Sequence, residues 1–517
     1  MSALLALVPI LLVLFLMLVF RWSSSLAGLA GWCCEMLVAL LAFGLNWQVF
    51  WVSQAKGLLL TFNVLLVLWP AIFLYNIVDQ IGGIRAIAQA LEGMVHEKGW
   101  LLILQAWMLS AIIESVAGFG LPIAMIAPLL MALGVSPVLA VATASVGHTW
   151  ASSTGGMALS LRTLAGITHY STEALYPDSA ILLGLSLILT GLAVAFLLGE
   201  KRQWWRVLIV GIVAAATHYL LGVWGLISIS ALLAAVVGFA VGAWLTPRWG
   251  LTPGWGLAPD RRLSSNPRSP HTGQPRNPAL WAGLIAYGIL VAIMLVVSLL
   301  PSLNQALSTV TWTLQFPIVT SARGIVTPAE SGYLFHIFTH PGTLILITVA
   351  VTLLIYRFIP NIPHLDLKSS LVSTIHSGLP ASLGTLFMIG LAIAMEHTGM
   401  TLALANGLGA VVGSIYPLFA PLIGVVGSVA TGSNLNSNVL FGILQKEVAV
   451  LVGASPVVIL AAQTTGASLG SMIAPAKLAV GTSTSSVKGH EGEVLRYTLP
   501  ICLAIALLIG VATLLMG

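Results

Sequence analysis

Apolar residues run along the chain in blocks of about 17 to 25, the length a helix needs to cross the hydrocarbon core of a bilayer. Such blocks cover residues 4–20, 26–45, 58–78, 180–199, 207–222, 226–245, 279–300, 379–395 and 497–516, with a shorter one at 342–356. Over residues 80–99 the pattern changes. Arg85, Glu92, His96, Glu97 and Lys98 interleave with Ile and Leu at helical spacing, which predicts an amphipathic helix lying in the interface. From Trp100 an apolar helix is predicted to rise to Glu114 and to break at Gly118, Gly120 and Pro122, and the stretch on to Leu161 is too rich in Gly, Ser and Thr for a plain span. The run Thr431-Gly-Ser-Asn-Leu-Asn-Ser-Asn438 interrupts the second half of the chain in the same way. Broken, polar backbone is tolerated at membrane depth only where it faces protein or a water-filled cavity. These two regions therefore predict re-entrant hairpins followed by discontinuous helices. Residues 162–178 read as a polar loop, and the region before Gly342 as a mixed segment holding Arg323, Glu330 and His336.

The two interrupted regions are one motif written twice. Gly134, Ser136, Pro137, Val138, Ala142, Gly147 and Ser152 recur as Gly453, Ser455, Pro456, Val457, Ala461, Gly466 and Ser471, a constant displacement of 319 residues. Likewise Asp79-Gln-Ile-Gly82 is echoed by Glu396-His-Thr-Gly399. Basic residues set the orientation of each copy, because Lys and Arg concentrate on the cytoplasmic side. Arg85 and Lys98 follow the span ending at Asp79, which must run inward, whereas Arg357 and Lys368 precede the span ending at Glu396, which must run outward. The repeat is inverted. The fold class that results is an all-α polytopic membrane protein of about 12 transmembrane helices, built as two inverted repeats with re-entrant hairpins and discontinuous helices. Its predicted units are a first half at 1–206 with its hairpin region at 115–161, two connecting spans at 207–246, a linker at 247–278, and a second half at 279–517 with its hairpin region at 429–486. The linker holds seven prolines and five arginines against one acid, Asp260, and reads as a cytoplasmic loop.

Composition agrees: of 517 residues 58% are hydrophobic and 7% charged, far from the roughly 25% charge of soluble domains. The net charge of +5 is explained by cytoplasmic loops, so no nucleic-acid partner is implied. The block at 4–20 lacks a basic residue before it and a small-residue cleavage site, and reads as a retained span rather than a signal peptide. Cys33, Cys34 and Cys502 lie in apolar runs without metal-ligand spacing. Neither a metal nor a cofactor is called for. No Walker-type phosphate loop is present, and Gly466-Ala-Ser-Leu-Gly470 matches a nucleophile elbow only in spacing, since its strand-turn-helix context is missing. Nothing points to an enzyme.

Inverted repeats whose broken helices meet near the midplane are the pattern of secondary transporters. Candidate substrate ligands are Gly118 and Gly120 on the first hairpin, Thr431, Gly432, Ser433, Asn434 and Asn438 on the second, and Thr464, Thr465 and Lys477 on the second broken helix. Hydroxyls, amides and free N–H groups at a helix start hold a carboxylate without a full charge, and Lys477 offers a cation. Arg323 is a second cationic candidate. Packing between helices by small and polar side chains is the competing reading of these residues. Glu114 and His148 are candidate proton carriers: an ionised carboxylate at a helix break costs a few kcal/mol unless paired or hydrated, and imidazole titrates near neutrality. A helix-capping role for Glu114 and a structural hydrogen bond for His148 compete. Asp79 and Glu396 read as interfacial, and Lys446 and Glu447 as a mutually neutralising pair.

The motifs Leu68-Trp-Pro70, Glu114-Ser-Val-Ala-Gly-Phe-Gly-Leu-Pro122, Thr431 to Asn438 with Leu440, Phe441 and Gln445, Gly470-Ser-Met-Ile-Ala-Pro475 and Gly489-His-Glu-Gly-Glu493 through Tyr497-Thr498 resemble the L-lactate permease family. The resemblance implies a multi-pass protein of the cell (inner) membrane that imports lactate- or glycolate-like 2-hydroxy monocarboxylates with protons. Its partners are then the lipid bilayer, a small carboxylate and a coupling proton; a homo-oligomer is compatible with this. Sodium coupling or exchange remains open on the residues alone, since unwound carbonyls and Asn434 could hold a cation. So does a channel or structural membrane subunit, which would need neither a coupling carboxylate nor internal symmetry.

Overall fold

The computed structural model describes residues 2–92, 94–95, 97–116, 121–246, 278–332, 334–360, 362, 365–485 and 487–517. Gly118 and Gly120, and the linker up to residue 277, lie outside the described residues. Long helices dominate because the apolar blocks are rich in Leu, Ala, Ile and Val and can satisfy backbone polar groups only within their own segment. Among the described residues, eleven helical stretches are long and apolar enough to cross a membrane, and shorter apolar helices cover Ser2–Leu18, Leu121–Ala132 and Pro341–Tyr356. The protein is a multi-pass membrane protein. Outward faces carry large apolar side chains such as Leu37, Phe196, Ile212, Val236 and Leu508, while Trp47, Trp204, Trp244 and Trp281 stand exposed near helix ends, where indole suits a headgroup region.

The first half opens with α1 (Ser2–Leu18), α2 (Ser24–Ala42) and α3 (Trp47–Gln80), followed by the short helix α4 (Gly83–Glu92) where the amphipathic pattern places it. Next come α5 (Lys98–Val116) and α6 (Leu121–Ala132), the arms of the first hairpin, then α7 (Pro137–Gly147) and α8 (Gly155–Thr168), the two parts of the first broken helix. Helices α9 (Thr172–Leu197), α10 (Trp204–Leu221) and α11 (Ser230–Trp244) close this half. The second half runs through α12 (Pro278–Leu299), α13 (Pro301–Ser308), α14 (Pro341–Tyr356), α15 (Leu367–His397) and α16 (Met400–Val412). Its hairpin arms are α17 (Tyr416–Thr431) and α18 (Asn434–Val452), its broken helix is α19 (Pro456–Gly470) with α20 (Pro475–Thr484), and α21 (Glu491–Met516) ends the chain.

Repetition extends to the backbone. Gly82 and its counterpart Gly399 both adopt left-handed φ, +74° and +78°, and Gly134 and Gly453 do the same at +92° and +74°. A β-carbon is disfavoured in that region, so the same residue ends the same helix in each copy. Helix α3 packs along α15, α17 along α19, and α8 of the first half against α18 of the second, which interlocks the halves.

Three expectations are corrected. Helix α3 starts at Trp47 rather than near Leu58, since Asn46 caps it by accepting from the Val49 N–H at 2.9 Å; the longer helix takes in Lys56. The expected loop at 162–178 shrinks to a few residues, because α8 runs on to Thr168 and α9 begins at Thr172 behind the cap Ser171. The mixed segment before α14 is a β-hairpin of three short antiparallel pairs: β1 (Thr311–Trp312) with β6 (Phe335–His336), β2 (Gln315–Phe316) with β5 (Glu330–Ser331), and β3 (Val319–Thr320) with β4 (Val326–Thr327). Its turn docks on the α2–α3 connection, where Ala322 N donates to Gly44 O at 2.8 Å and Asn46 Nδ2 to Thr320 O at 2.7 Å.

Candidate functional site

Glu114 sits two residues before the end of α5, 5% exposed, and its Oε2 has no hydrogen-bond partner among the described residues. What holds this helix against the broken one is a glycine: a β-carbon on Gly147 of α7 would fall onto the Ala106 carbonyl of α5. The second half repeats the device, since a β-carbon on Gly466 of α19 would strike the Pro421 carbonyl of α17. Both repeated glycines thus let a hairpin arm touch a broken helix backbone to backbone. Beyond Gly147 the chain turns through His148 to Thr154 and then enters α8 with Gly156, Met157 and Ala158 at φ of +52°, +63° and +58°. Left-handed backbone costs an L-residue about 1–2 kcal/mol. Two consecutive side-chain-bearing residues therefore hold strain directly beside the break, a frequent mark of functional segments.

At the second hairpin, Gly432 turns the chain with φ +67° and Ser433 caps α18, its Oγ accepting from Asn436 N at 3.4 Å. The hairpin is braced by a fully paired amide chain. Tyr416 Oη donates to Gln445 Oε1 at 2.5 Å, Gln445 Nε2 to Gln463 Oε1 at 2.9 Å and to Ala420 O at 2.8 Å, and Gln463 Nε2 to Ser437 at 3.2 Å. Helices α17, α18 and α19 are thereby tied together by satisfied buried polar groups, which rigidify a core.

The breaks and the second tip meet. Asn434 Nδ2 donates to Ser152 O at 2.7 Å, and Asn438 Nδ2 lies 2.9 Å from Thr464 Oγ1, 3.0 Å from Ser160 Oγ and 3.2 Å from Ser160 O. Ser153 Oγ is 2.7 Å from Ser468 Oγ and 2.9 Å from Thr464 O. On the first tip's side, His148 donates through Nδ1 to Ala144 O at 3.0 Å, which leaves Nε2 to accept, 3.5 Å from Ser471 Oγ. Lys477 on α20 is 8% exposed, and the Glu114 carbonyl lies against the start of α8, 3.4 Å from where a β-carbon on Gly155 would stand. A β-carbon on Gly432 would lie 3.3 Å from Ala476, so the second tip also reaches the start of α20.

Glu114, His148, Asn434, Asn438, Thr464 and Lys477 therefore surround one buried crossing of hairpin and helix breaks. Thr431, Gly432 and Ser433 shape the second tip. Thr465 is turned into its own helix, where its hydroxyl donates to Ala461 O at 2.8 Å. Arg323 is exposed at the β-hairpin turn, 5.8 Å from the Phe43 ring, and is no part of the crossing. Glu396 stands at the end of α15, partly buried beside a cavity, 3.8 Å from His169 Nε2 and 3.7 Å from Lys446 Nζ. Lys446 and Glu447 do pair, at 3.5 Å.

Among the described residues, four buried polar atoms near the crossing lack a protein partner: Glu114 Oε2, Ser152 Oγ, Asn436 Oδ1 and Asn438 Oδ1. Buried polar groups are nearly always bonded; of these atoms Ser152 Oγ can donate to an anion, while the three carbonyl-type oxygens accept and suit a substrate hydroxyl or a proton. Sequence reading missed Ser152, Ser153, Ser160 and Ser468, although Ser152 belonged to the repeated motif. It also passed over Lys56, which lies just before the predicted block at 58–78 and enters the membrane helix only because that helix starts at Trp47.

Comparison with known proteins covers the whole chain. The family model described as L-lactate permease matches residues 2–517. Among curated relatives, an L-lactate permease of Bacillus subtilis is 26% identical across 99% of this chain and 95% of its own length. One from Streptococcus iniae is 27% identical across 88% and 92%, and the glycolate permease GlcA of Escherichia coli 25% across 99% and 95%. Of solved structures, the YdaH transporter of Alcanivorax borkumensis is similar at a TM-score of 0.47 and 16% identity, over 87% of this chain and 84% of that one.

Proposed function

The chain belongs to the L-lactate permease family, and from that premise we propose that it imports lactate- or glycolate-like 2-hydroxy monocarboxylates by proton symport, with the crossing exposed alternately to the two sides of the cell membrane. One observation carries this reading: Glu114 and Lys477 are both buried beside the crossing, and among the described residues Glu114 keeps an unpartnered oxygen. A buried charge without a counter-charge costs several kcal/mol. In the empty site the Glu114 carboxylate balances the Lys477 ammonium. When a substrate carboxylate enters, it takes over that role, and Glu114 must bind a proton to keep the site neutral. Substrate and proton then load together because loading either alone leaves a charge uncompensated. Ser152 Oγ and the second Nδ2 hydrogen of Asn434 supply donors for the carboxylate, and Asn438 Oδ1 accepts from the 2-hydroxyl; such bonds are worth about 1.5–3 kcal/mol where a charge is involved.

The half-helices meeting here favour alternating access, since their loose ends belong to two repeats that can move against each other. The reading is tested with full-length protein in proteoliposomes, measuring uptake of labelled L-lactate, glycolate, acetate and succinate under separate proton and sodium gradients. Acid-outside gradients are expected to drive accumulation of the two hydroxy acids. Accumulation driven by sodium alone would overturn the proton assignment, and preference for succinate the substrate class.

A further inference from the structure

A second charged cluster lies away from the crossing, where α3, α8, α15 and the β-hairpin come together. Lys56, His169, Glu330, Glu396, His397 and Phe316 line a cavity of about 470 Å³ there. Lys56 is 7% exposed, and its ammonium donates to Glu330 Oε1 at 2.7 Å and lies 3.0 Å from His397 Nε2. An ammonium has no lone pair, so His397 must accept at Nε2 and carry its proton on Nδ1, which donates to Ile393 O at 2.9 Å. His397 is then neutral, and the charge facing Lys56 is that of Glu330. Glu396 is engaged elsewhere, by His169 and Lys446.

The two partners differ in how they are attached. Lys56 is fixed by a long transmembrane helix, whereas Glu330 rides on a two-residue strand of a hairpin arm and is 32% exposed. Under the arm, Phe316 and Phe335 rest on Leu59, one turn from Lys56. We propose that this cavity is a second binding site for a small monocarboxylate, in which the incoming carboxylate displaces that of Glu330 from Lys56.

Size fits, since small-ligand sites span roughly 300–1,000 Å³. Chemistry fits as well: Glu330 already places a carboxylate oxygen on the ammonium, with the imidazole of His397 beside it. The cavity also has a route to the crossing. Helix α8 borders it with Ala165, Gly166 and Ile167 and borders the crossing with Ser160, a separation of six residues or about 9 Å along the axis. Lys56 and His397 lie at the ends of α3 and α15 opposite to those flanked by Arg85 and by Arg357 and Lys368, which places the cavity on the outer side. An arriving anion meets it first. The ligand class rests on the proposed function above.

The test is equilibrium binding of ¹⁴C-L-lactate to the full chain in nanodiscs. Wild type is expected to bind two per chain and Lys56→Gln one. Glu330→Gln removes the tethered competitor and should keep both sites while tightening the outer one roughly tenfold, the scale of a carboxylate held at millimolar effective concentration. Unchanged stoichiometry in Lys56→Gln overturns the proposal. Weakened binding in Glu330→Gln also overturns it, because the pair would then only pin the hairpin to α3; this arm decides alone if Lys56→Gln fails to fold. If wild type binds no lactate at either site, the ligand class fails rather than the site. The site is then read with the anionic thiol reagent 2-sulfonatoethyl methanethiosulfonate on Glu330→Cys, with Cys33, Cys34 and Cys502 replaced by serine. Labelling at least several-fold faster with Lys56 than with Lys56→Gln supports an anion site, and equal rates overturn it.

Discussion

Replacing Asn438 separates an anion-binding crossing from one that merely packs. Its side chain is fully buried, and Nδ2 has three acceptors within 2.9–3.2 Å for its two hydrogens, while Oδ1 has no donor among the described residues. Asn438→Ala removes two hydrogen bonds worth about 1 kcal/mol each, so thermal stability should fall. Loss of the Oδ1 acceptor for the substrate's 2-hydroxyl, a neutral hydrogen bond, should weaken binding about two- to tenfold. Asn438→Asp has nearly the same shape and also lacks the donors, but adds a charge. Two like charges 4 Å apart at an effective dielectric of 20 repel by about 4 kcal/mol, close to three decades in affinity. Lactate binding at neutral pH, measured by calorimetry on protein in nanodiscs, is therefore expected to be far weaker in Asn438→Asp than in Asn438→Ala. Acid should restore part of it, because protonating the aspartate removes the charge and returns a donor. Equal affinities in the two variants would refute the reasoning and leave Asn438 as inter-helix glue.

Glu114→Gln keeps shape and hydrogen bonding but cannot take a proton; lactate-for-lactate exchange in proteoliposomes should persist while acid-driven accumulation is lost, and accumulation that survives would remove Glu114 from coupling. Gly147→Ala and Gly466→Ala each force a β-carbon onto the backbone of a hairpin arm, so each should destabilise by about 1–3 kcal/mol in thermal unfolding, and tolerance of either would mean the repeated close approach is not required. Ala158→Gly relieves about 1–2 kcal/mol of left-handed strain against an entropic cost of about 0.5–1 kcal/mol; the unfolding midpoint should stay level or rise, and a fall of several degrees would contradict the strained backbone. Deleting residues 250–275 is expected to leave uptake intact, since that basic, proline-rich stretch offers little apolar surface to bury.

Membrane embedding, the spans, the doubled motif and the family were legible in the chain itself. Each rests on local or repeated information: a block of apolar residues must be helical in lipid whatever surrounds it, and Gly134 to Ser152 match Gly453 to Ser471 at the seven repeated positions. Broken helices were legible too, because clustered Gly, Ser and Asn at membrane depth carry polar groups that only protein or enclosed water can satisfy. Even so, the sequence could not decide which polar residue faces the crossing. Thr464 and Thr465 are adjacent and chemically alike, yet one reaches Asn438 and the other bonds only its own helix, since neighbours on a helix point about 100° apart and packing alone chooses the face. Nor could it show Ser153 meeting Ser468, partners 315 residues apart, or the β-hairpin laying Glu330 on Lys56 across 274 residues. Strand pairing and buried ion pairs depend on which distant segments come together, and that follows from how the two halves interlock.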